Sequence, residues 1–423
     1  IEQGDIDESI LDPMVANILR TKFKRGLFDK PYPATLTIPK EQALETARKA
    51  ALQSLVLLKN DNATLPLAAG QMKTLAVIGP LADAPYEQMG TWVFDGDRER
   101  SVTPLQALQQ ALKNKVDVRF VPAMKNSRSK ASAAFDQAVN AARAADAAVL
   151  FLGEESILSG EAHCRADIDL PGDQAELVKQ VRAAGKPVIA VILAGRPLTL
   201  TNIVDQVDAI LYAWHPGSMG GPAIADVLLG EEAPSGKLPV TFPSMVGQVP
   251  IYYNQKNTGK PPLDEMFVHI DDIEEQAVQT SFGMAAFHLD AGYKPLYVFG
   301  HGLTYTTLAY SNIEVDKPEI RIGETVRISA ELANTGDRTG EEVVQLYVRD
   351  LVGSVTRPIR ELKAFRRVRV EPNQSTTVVF ELHTDARAFF DRKHNLVIEP
   401  GEFHVWIGGS SNTQLRSGFR IVG

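Results

Sequence analysis

Short apolar runs alternate with helical patterns over the first half of the chain. Strands are predicted at residues 74–78, 116–121, 147–152, 187–193 and 209–213, and all but 116–121 are nearly continuous apolar runs. Apolar positions recur at helical spacing in residues 102–113, 130–145, 173–184 and 223–229. Continuous apolar strands that alternate with helices are typical of a mostly parallel sheet covered on both faces. We therefore predict an α/β sandwich over residues 40–243.

Two amphipathic helices are predicted ahead of this alternation. In residues 5–27 apolar side chains recur at spacings of three to five, and Gly26 is a plausible stop. Residues 40–60 form the second helix, which we expect to close at Lys59 and Asn60. Residues 30–39 contain three prolines, which predicts an extended linker between the helices.

From residue 306 onward the apolar period changes from 3.6 to 2. Strands are predicted at residues 325–332, 342–348, 376–382 and 403–407. Turn sequences rich in Asn, Gly and Pro separate them, which predicts an antiparallel β-sandwich over residues 306–423. Prolines interrupt residues 244–305, so we expect a connecting segment with an insert loop and one short helix.

Composition excludes several classes of protein. The 423 residues allow two to four domains, and 44 basic against 52 acidic residues give a net charge of −8. Without a basic run we expect no nucleic-acid or anionic-membrane partner, and without 18 consecutive apolar residues no transmembrane helix. Cys164 is the single cysteine, which excludes an intrachain disulfide. No histidine pair has metal-ligand spacing, so we expect no metal and no cofactor.

One strongly charged loop, at residues 153–167, directly follows an apolar run. It holds Glu154, Glu155, Glu161, His163 and Arg165. The carboxyl edge of a parallel sheet is where α/β folds build their sites. We expect the candidate site here, with Glu161 accessible between small neighbours; a merely solvated polar loop is the alternative.

Other candidates lie on the same edge. Trp92 follows the run at 74–78 and could stack on a sugar ring or another flat apolar face, or cap the core. His215 opens a glycine-rich turn that lacks the GxGxxG spacing, so the signal for a nucleotide is weak and a structural role for the histidine is favoured. Cys164 and His163 are sequence neighbours whose side chains would not meet in a loop, which disfavours a Cys-His nucleophile.

Several motifs, in order, resemble the C-terminal part of bacterial β-glucosidases of glycoside hydrolase family 3. The N-terminal ones are ILRTKFKRGLFD (18–29), AALQSLVLLKN (50–60), LPL (65–67) and AVIGPLAD (76–83). The C-terminal ones are PSGKLPVTFP (234–243), YVFGHGLTYT (297–306), RP (357–358) and ELKAF (361–365). The resemblance covers nearly the whole chain, and it implies that the β-sandwich is fibronectin-III-like.

The resemblance also implies a chemistry. Enzymes of the family retain anomeric configuration with two carboxylates, an Asp nucleophile on a (β/α)8 barrel and a general acid/base Glu on a sandwich loop. The position that matches the acid/base is Glu161, with Glu154 and Glu155 as the next candidates. Close relatives often have a histidine before this glutamate, where this chain has Gly160.

Substrate contacts are implied in the same way. Trp92 looks like the aromatic residue that lines the leaving-group subsite in some relatives. His163 and Arg165, on the loop that matches the acid/base loop, are expected to bind substrate. The expected substrate is a β-glucoside.

The expected partners follow from the family's architecture. Residues 1–29 look like the last helix of the (β/α)8 barrel, so we expect the barrel, with the nucleophile, to be a separate chain. The 260–290 loop departs from close relatives; we expect it to contact a partner subunit, as in a homodimer, or to border the active site. The family suggests a bacterial periplasmic or secreted protein.

Several alternatives to a β-glucosidase are weighed from sequence. The same architecture could act on another sugar as a β-xylosidase. An N-acetylglucosaminidase or a phosphorylase is disfavoured, because such relatives often lack the sandwich or take the acid/base from the barrel. A non-catalytic carbohydrate-binding or scaffold protein belongs to a different class.

Overall fold

The structure is a computed structural model that describes residues 7–32, 40–130, 134–283 and 285–423. The chain divides into two compact units, residues 1–46 and residues 47–423. In the first unit, helix α1 spans Leu11–Lys24 after a single 3-10 turn, so the helix is shorter than the predicted 5–27. Pro13 lies in its first turn, where backbone N–H groups have no partner within the helix anyway. The first residues of that prediction and residues 33–39 of the predicted linker lie outside the described residues.

A six-stranded sheet forms the centre of the α/β domain. Its strands are β1 (Val56–Asn60), β2 (Thr74–Ile78), β3 (Asp117–Val121), β4 (Ala147–Gly153), β5 (Val188–Leu193) and β6 (Ala209–Tyr212). They lie in the order β1-β6-β5-β4-β2-β3. Every neighbouring pair is parallel except β1 with β6. The mostly parallel sheet predicted from the apolar runs is therefore confirmed.

Strand β1 corrects the prediction of one helix over residues 40–60. Helix α2 covers only Lys40–Ser54, and the chain then enters β1. Leu55 to Leu58 are four consecutive apolar residues, each at most 2% exposed. Leu57 packs into one core and Val56 and Leu58 into the other. A strand with both faces covered buries such a run, whereas an amphipathic surface helix buries only one stripe.

Helices cover both faces of the sheet and create two cores. They are α3 (Pro104–Ala111), α4 (Phe135–Arg143), α5 (Gln174–Arg182), α6 (Thr201–Val204) and α7 (Gly220–Leu229). Helices α3 and α7 pack on one face, and α4, α5 and α6 on the other. Residues 131–133, near the start of the helix predicted at 130–145, lie outside the described residues. In the described part of the chain, no helix combines the length and the apolarity that a bilayer crossing requires.

The described part of residues 244–305 is largely irregular and contains three single 3-10 turns, where one short helix was expected. Their last part returns to the α/β domain. The backbone of Tyr297 pairs with that of Phe242, and Leu303 N–H donates to the carbonyl of Leu57 at 2.8 Å. The insert loop is mainly exposed, with apolar side chains such as Met266 and Ile270 about half accessible.

The C-terminal part is the predicted β-sandwich. Its strands are β7 (Leu308–Val315), β8 (Glu319–Arg321), β9 (Thr325–Asn334), β10 (Gly340–Asp350), β11 (Glu361–Val370), β12 (Ser375–His383), β13 (Phe389–Phe390), β14 (Leu396–Val397), β15 (Gly401–Gly408) and β16 (Arg416–Val422). A five-stranded sheet (β11-β10-β15-β16-β8) faces a three-stranded one (β12-β9-β7) across one core. The four predicted strands are present as β9, β10, β12 and β15, each two to four residues longer.

Polar contacts join the sandwich to the α/β domain. Lys237 Nζ lies 2.9 Å from Glu342 Oε1 and donates to the carbonyl of Gly302 at 2.7 Å. Arg367 Nη1 donates to Ser235 Oγ at 2.7 Å. Glu342 is 5% exposed, so this junction encloses a charged pair.

Candidate active site

His215 marks the place where the loops after β2, β4, β5 and β6 meet at the carboxyl edge of the sheet. A Cβ on Gly90 would lie 2.7 Å from its Nδ1, and one on Gly195 would lie 2.8 Å from its Cε1. Only glycine lets both loops approach the ring this closely. The Nε2 atom is enclosed and has no hydrogen-bond partner among the described residues. Burial lowers the pKa of His215 to about 4, so the ring is neutral near pH 7.

The charged loop after β4 is clamped at its base by Gln174. This fully buried side chain accepts from Gly153 N–H at 2.8 Å, and its Nε2 lies within 3.0 Å of the carbonyl oxygens of Gly153 and Pro171. Gly153 has φ +132°, a conformation that favours glycine. The side chain of Gln174 therefore holds the two ends of the loop together.

Glu154 does not face solvent. Its Oε1 accepts from Arg165 Nη1 at 2.5 Å, and its Oε2 accepts from Arg196 Nε at 3.1 Å. Both guanidinium-bearing side chains are 19% exposed, and that of Glu154 is 0% exposed. Glu154 is therefore buried between two guanidinium groups and is not accessible to a ligand.

Glu155 is also engaged. Its carboxylate accepts from Arg128 Nε at 2.9 Å and from Ser127 Oγ at 2.8 Å. Partial burial pushes its pKa upward, but the hydrogen bonds from Arg128 and Ser127 outweigh that effect, so the pKa lies below its ordinary value. Like Glu154, Glu155 is engaged in an ion pair with an arginine.

Glu161 differs from the other two glutamates. It lies in a turn, its side chain is exposed, and no hydrogen bond or ion pair to a described residue holds it. The residues around it adopt backbone conformations that suit a tight turn: Gly160 has φ +119° and Ala162 has φ +61°. Glu161 is the glutamate of this loop whose carboxyl is available to a ligand.

The loop that carries Trp92 is fastened to the Glu161 loop. Thr91 Oγ1 lies 2.5 Å from the carbonyl oxygen of Ser156 and 2.7 Å from that of Ser159. Glu87 accepts from the backbone N–H of Ser156 at 2.6 Å and from its hydroxyl at 2.8 Å. Trp92 follows directly and is 62% exposed, with Phe94 in edge contact at 6.4 Å between ring centroids. The structure thus brings the Trp92 and Glu161 loops together.

Three further candidates from the sequence, Arg165, His163 and Cys164, lie on the same loop as Glu161. Arg165 pairs with Glu154 and donates to the carbonyl of Asp169 at 3.0 Å. The Nδ1 atom of His163 lies 3.3 Å from the carbonyl oxygen of Ser159, and Cys164 is exposed. The contacts of Arg165 are therefore internal to the protein; its contact with substrate, like that of His163, stays a prediction.

Arg196 and Gln174 were not predicted from sequence. Arg196 lies in the sequence AGRP directly after β5, at the same sheet edge as Glu161. Taking the polar residues that follow every strand, and not only β4, would have identified it. Gln174 offers no such signal, because a buried glutamine at the start of a helix looks in sequence like any polar N-terminal residue.

In the described part of the chain, no group of three or more His, Cys, Asp or Glu side chains is arranged to hold a metal ion. The charged side chains that this edge of the sheet offers are carboxylates and guanidinium groups. An unpaired carboxyl and an exposed indole, carried by two loops that are hydrogen-bonded to each other, suit proton transfer to a bound ligand with a flat apolar face.

Comparison with known families matches both parts of the structure. Residues 55–305 match the glycosyl hydrolase family 3 C-terminal domain, and residues 342–411 match the fibronectin type III-like domain. The first match covers the whole sheet and the four loops at its carboxyl edge. The second falls within the β-sandwich.

Known relatives of this chain, compared by sequence and by structure, point to the same family. The chain is 35% identical to the periplasmic beta-glucosidase of Salmonella typhimurium over 100% of its own length and 57% of the relative, and 36% identical to a beta-xylosidase of Formosa agariphila over 95% and 54%. The crystal structure of beta-glucosidase from Listeria innocua in complex with isofagomine superimposes with a TM-score of 0.89 at 32% identity, covering 100% of this chain and 57% of that one. The chain thus spans little more than half the length of these relatives. With the first family match extending over more than half of its residues, the chain belongs to glycosyl hydrolase family 3.

Proposed function

We propose that this chain is part of a retaining exo-β-glycosidase, and that Glu161 is its general acid/base. The observation that carries the proposal is the difference among three glutamates on one loop. Two are held by arginines, whereas Glu161 is exposed and unpaired among the described residues. Family membership supports the reaction class, since relatives are beta-glucosidases and beta-xylosidases.

In the proposed mechanism Glu161 first acts as an acid. It protonates the departing glycosidic oxygen while a second carboxylate attacks the anomeric carbon, which gives a glycosyl-enzyme and a free alcohol. Retention requires the two carboxyl groups about 5 Å apart. Glu161, now ionised, then removes a proton from water as the water attacks the same carbon and releases the sugar.

The second carboxylate of this proposal lies outside the residues described above. The family resemblance implies an Asp of a (β/α)8 barrel, in a part of the enzyme outside this sequence. Intact-mass measurement on an active preparation tests this. We expect a second polypeptide or a larger species; full glycosidase activity from a sole species with this chain's own mass would contradict it.

Trp92 is proposed to line the leaving-group subsite. Its loop is fastened to the Glu161 loop through Thr91 and Glu87, and its indole is exposed. An aromatic face there suits the apolar face of a sugar ring or an aryl aglycone. His163 and Arg165 stay predicted substrate contacts, Arg165 with its guanidinium already engaged.

Glu161→Gln tests the assignment, because glutamine keeps the shape of the side chain but cannot donate or accept the reaction's proton. In the complete enzyme we expect kcat/KM for substrates with poor leaving groups to fall about 10²–10⁴-fold. For activated aryl glycosides, whose leaving groups need no proton, kcat/KM should fall far less, because formation of the glycosyl-enzyme does not depend on the acid. Azide should accelerate turnover by attacking the glycosyl-enzyme and should yield a glycosyl azide.

Glu155→Gln is the matched control, since it changes a glutamate of the same loop that is held by Arg128. It should not show the leaving-group dependence or the azide effect. Unaltered activity in Glu161→Gln would contradict the assignment and would favour the non-catalytic, carbohydrate-binding alternative.

The favoured substrate is a terminal, non-reducing β-D-glucosyl unit, as in β-glucosides and cello-oligosaccharides. A β-xylosidase is the second candidate, and two Formosa agariphila relatives at 36% and 32% identity carry that name. Comparing kcat/KM for aryl β-glucoside and aryl β-xyloside separates the two. We propose a periplasmic or secreted location, as the name of the Salmonella relative suggests.

A further inference from the structure

Glu161 has no side-chain partner among the described residues, so its position depends on the backbone that carries it. That backbone is a turn whose two flanks are Leu158, three residues before Glu161, and His163, two residues after it. Both flanking carbonyl groups accept from one atom, Nη2 of Arg196; the distance to the His163 oxygen is 2.8 Å. A single guanidinium group therefore closes the turn around Glu161.

Arg196 is itself fixed from two sides. Its Nε donates to Glu154 Oε2 at 3.1 Å, and Glu154 is held in turn by Arg165. Its own carbonyl accepts from the hydroxyl of Tyr212, at the end of β6, at 2.5 Å. The turn around Glu161 is thus tied to the rigid sheet through β5 and β6.

The bonding pattern needs a guanidinium group. Nε points to Glu154 while Nη2 reaches two carbonyl groups, and the planar fork fixes the angle between these directions. A lysine ammonium is one point charge and cannot hold both the carboxylate and the two carbonyls in this geometry. Because the group is mostly withdrawn from solvent, these charge-assisted bonds are strong and competition from water is small.

We propose that Arg196 is a positioning residue for proton transfer: it closes the turn at residues 158–163 and so sets where the Glu161 carboxyl meets the glycosidic oxygen. The inference rests on the function proposed above for Glu161. Arg196 is not itself expected to touch substrate, because its guanidinium is engaged by Glu154 and by the loop backbone.

Two substitutions test this in the complete, active enzyme. Arg196→Met removes the guanidinium and keeps much of the apolar stem, and Arg196→Lys keeps the charge and loses the fork. For a series of aryl β-glucosides, we expect Arg196→Met to lower kcat/KM at least 30-fold for poor leaving groups and less than 3-fold for 2,4-dinitrophenyl β-glucoside. Arg196→Lys should fall between Arg196→Met and the parent protein, and azide should yield a glucosyl azide with both.

Arg182→Met is the matched control. Arg182 also forms an arginine-carboxylate pair, with Asp208 at 2.7 Å, but next to the starts of β5 and β6, at the opposite edge of the sheet. It should leave the leaving-group dependence unchanged. Thermal unfolding of every variant separates a loss of folded protein from a loss of proton transfer, and Arg196→Lys keeps the test available if Arg196→Met does not fold.

The outcomes separate the two proposals. If Glu161→Gln is leaving-group dependent and both Arg196 variants lose the same factor for every substrate, or lose nothing, the positioning role is overturned and the proposed function stands. If Glu161→Gln itself shows no such dependence, the proposed function is overturned, and the role of Arg196 in proton transfer with it.

Discussion

His215 shows how one residue can join several loops without forming a hydrogen bond through Nε2. Its ring fills the space between Gly90 and Gly195, and both loops lie too close for any side chain there. Burying a neutral imidazole costs less than burying a charged one, and this is why its pKa falls to about 4. The same burial makes the meeting point of the loops sensitive to acid.

Stability should therefore fall with pH in a definite window. An unfolded histidine binds a proton near pH 6.5, while folded His215 does so only near pH 4. Between these values the unfolded state binds more protons, so the free energy of unfolding decreases as the pH falls, by up to roughly 3 kcal/mol. Above pH 6.5 this contribution is fully present.

Urea unfolding from pH 7.5 to pH 4.5 measures the effect. His215→Asn should flatten the pH dependence in that window, although lost packing lowers stability at every pH. His394→Asn changes an exposed histidine and serves as the control. Equal slopes for the parent protein and His215→Asn would refute the burial of a neutral ring as the cause.

At the scale of elements, the site depends on how β4 ends. Gly153 is the last residue of β4, and a Cβ there would lie 1.8 Å from the carbonyl oxygen of Leu193 in β5. The strand can therefore run to the edge of the sheet and turn sharply into the charged loop only with glycine at this position. Its N–H is also one of the groups that Gln174 holds.

Gly153→Ala should separate the ends of β4 and β5. Gly185→Ala is the matched control, because Gly185 also has a positive φ, +72°, but faces open space. The control should cost only the conformational penalty, about 1–2 kcal/mol. Gly153→Ala adds a backbone clash and should cost at least about 2 kcal/mol more in urea unfolding. If both variants lost the same free energy of unfolding, β5 would have to move away from the added methyl group at no cost, which would contradict the prediction.

Sequence patterns identified elements according to how they are buried. Strands covered on both faces, such as β4 and β5, were predicted within a residue or two because nothing but continuous apolar sequence fits there. The sequence of strand β1 continues an amphipathic helical segment without a break, and its pattern therefore predicts more helix instead of a strand. Strand β11 is rich in charged residues and forms a sheet edge, so its alternation is weak.

The site was predictable to a similar extent. The Glu161 and Trp92 loops could be placed on one sheet edge, since the ends of parallel strands define it. Which of three glutamates is unpaired could not be predicted from composition of the loop, because the pairing partners Arg128 and Arg196 come from other loops. Side-chain pairing over such sequence distances follows from tertiary packing alone.

At the scale of the whole molecule, the α/β domain and the β-sandwich share a buried ion pair. Lys237 and Glu342 face each other with side chains 13% and 6% exposed. A buried charge that loses its partner costs more than the pair contributes, because desolvation of the remaining charge is no longer offset. Replacing one member of the pair should therefore destabilise the protein more than replacing both members with apolar residues.

Lys237→Met should lower the free energy of unfolding by about 3–5 kcal/mol, because Glu342 is left unpaired. Adding Glu342→Leu should recover most of that loss, since an apolar pair needs no counter-ion. Urea unfolding of both single variants and the double variant forms the test. A double variant no more stable than Lys237→Met would contradict this explanation.

The contact predicted for the 260–290 loop, with a partner subunit or the active site, stays a prediction.

The clamp around the charged loop has a consequence for how such a site can diversify. Its fixed contacts use Gly153, Glu154, Gln174 and Arg196 together with backbone carbonyls, whereas the side chains of Ile157, Ala162 and Cys164 point outward and are exposed. Residues at the tip can therefore be exchanged without disturbing the frame that holds them. Sequence change at the tip would therefore alter what the loop presents to a ligand, while the backbone that carries Glu161 keeps its place.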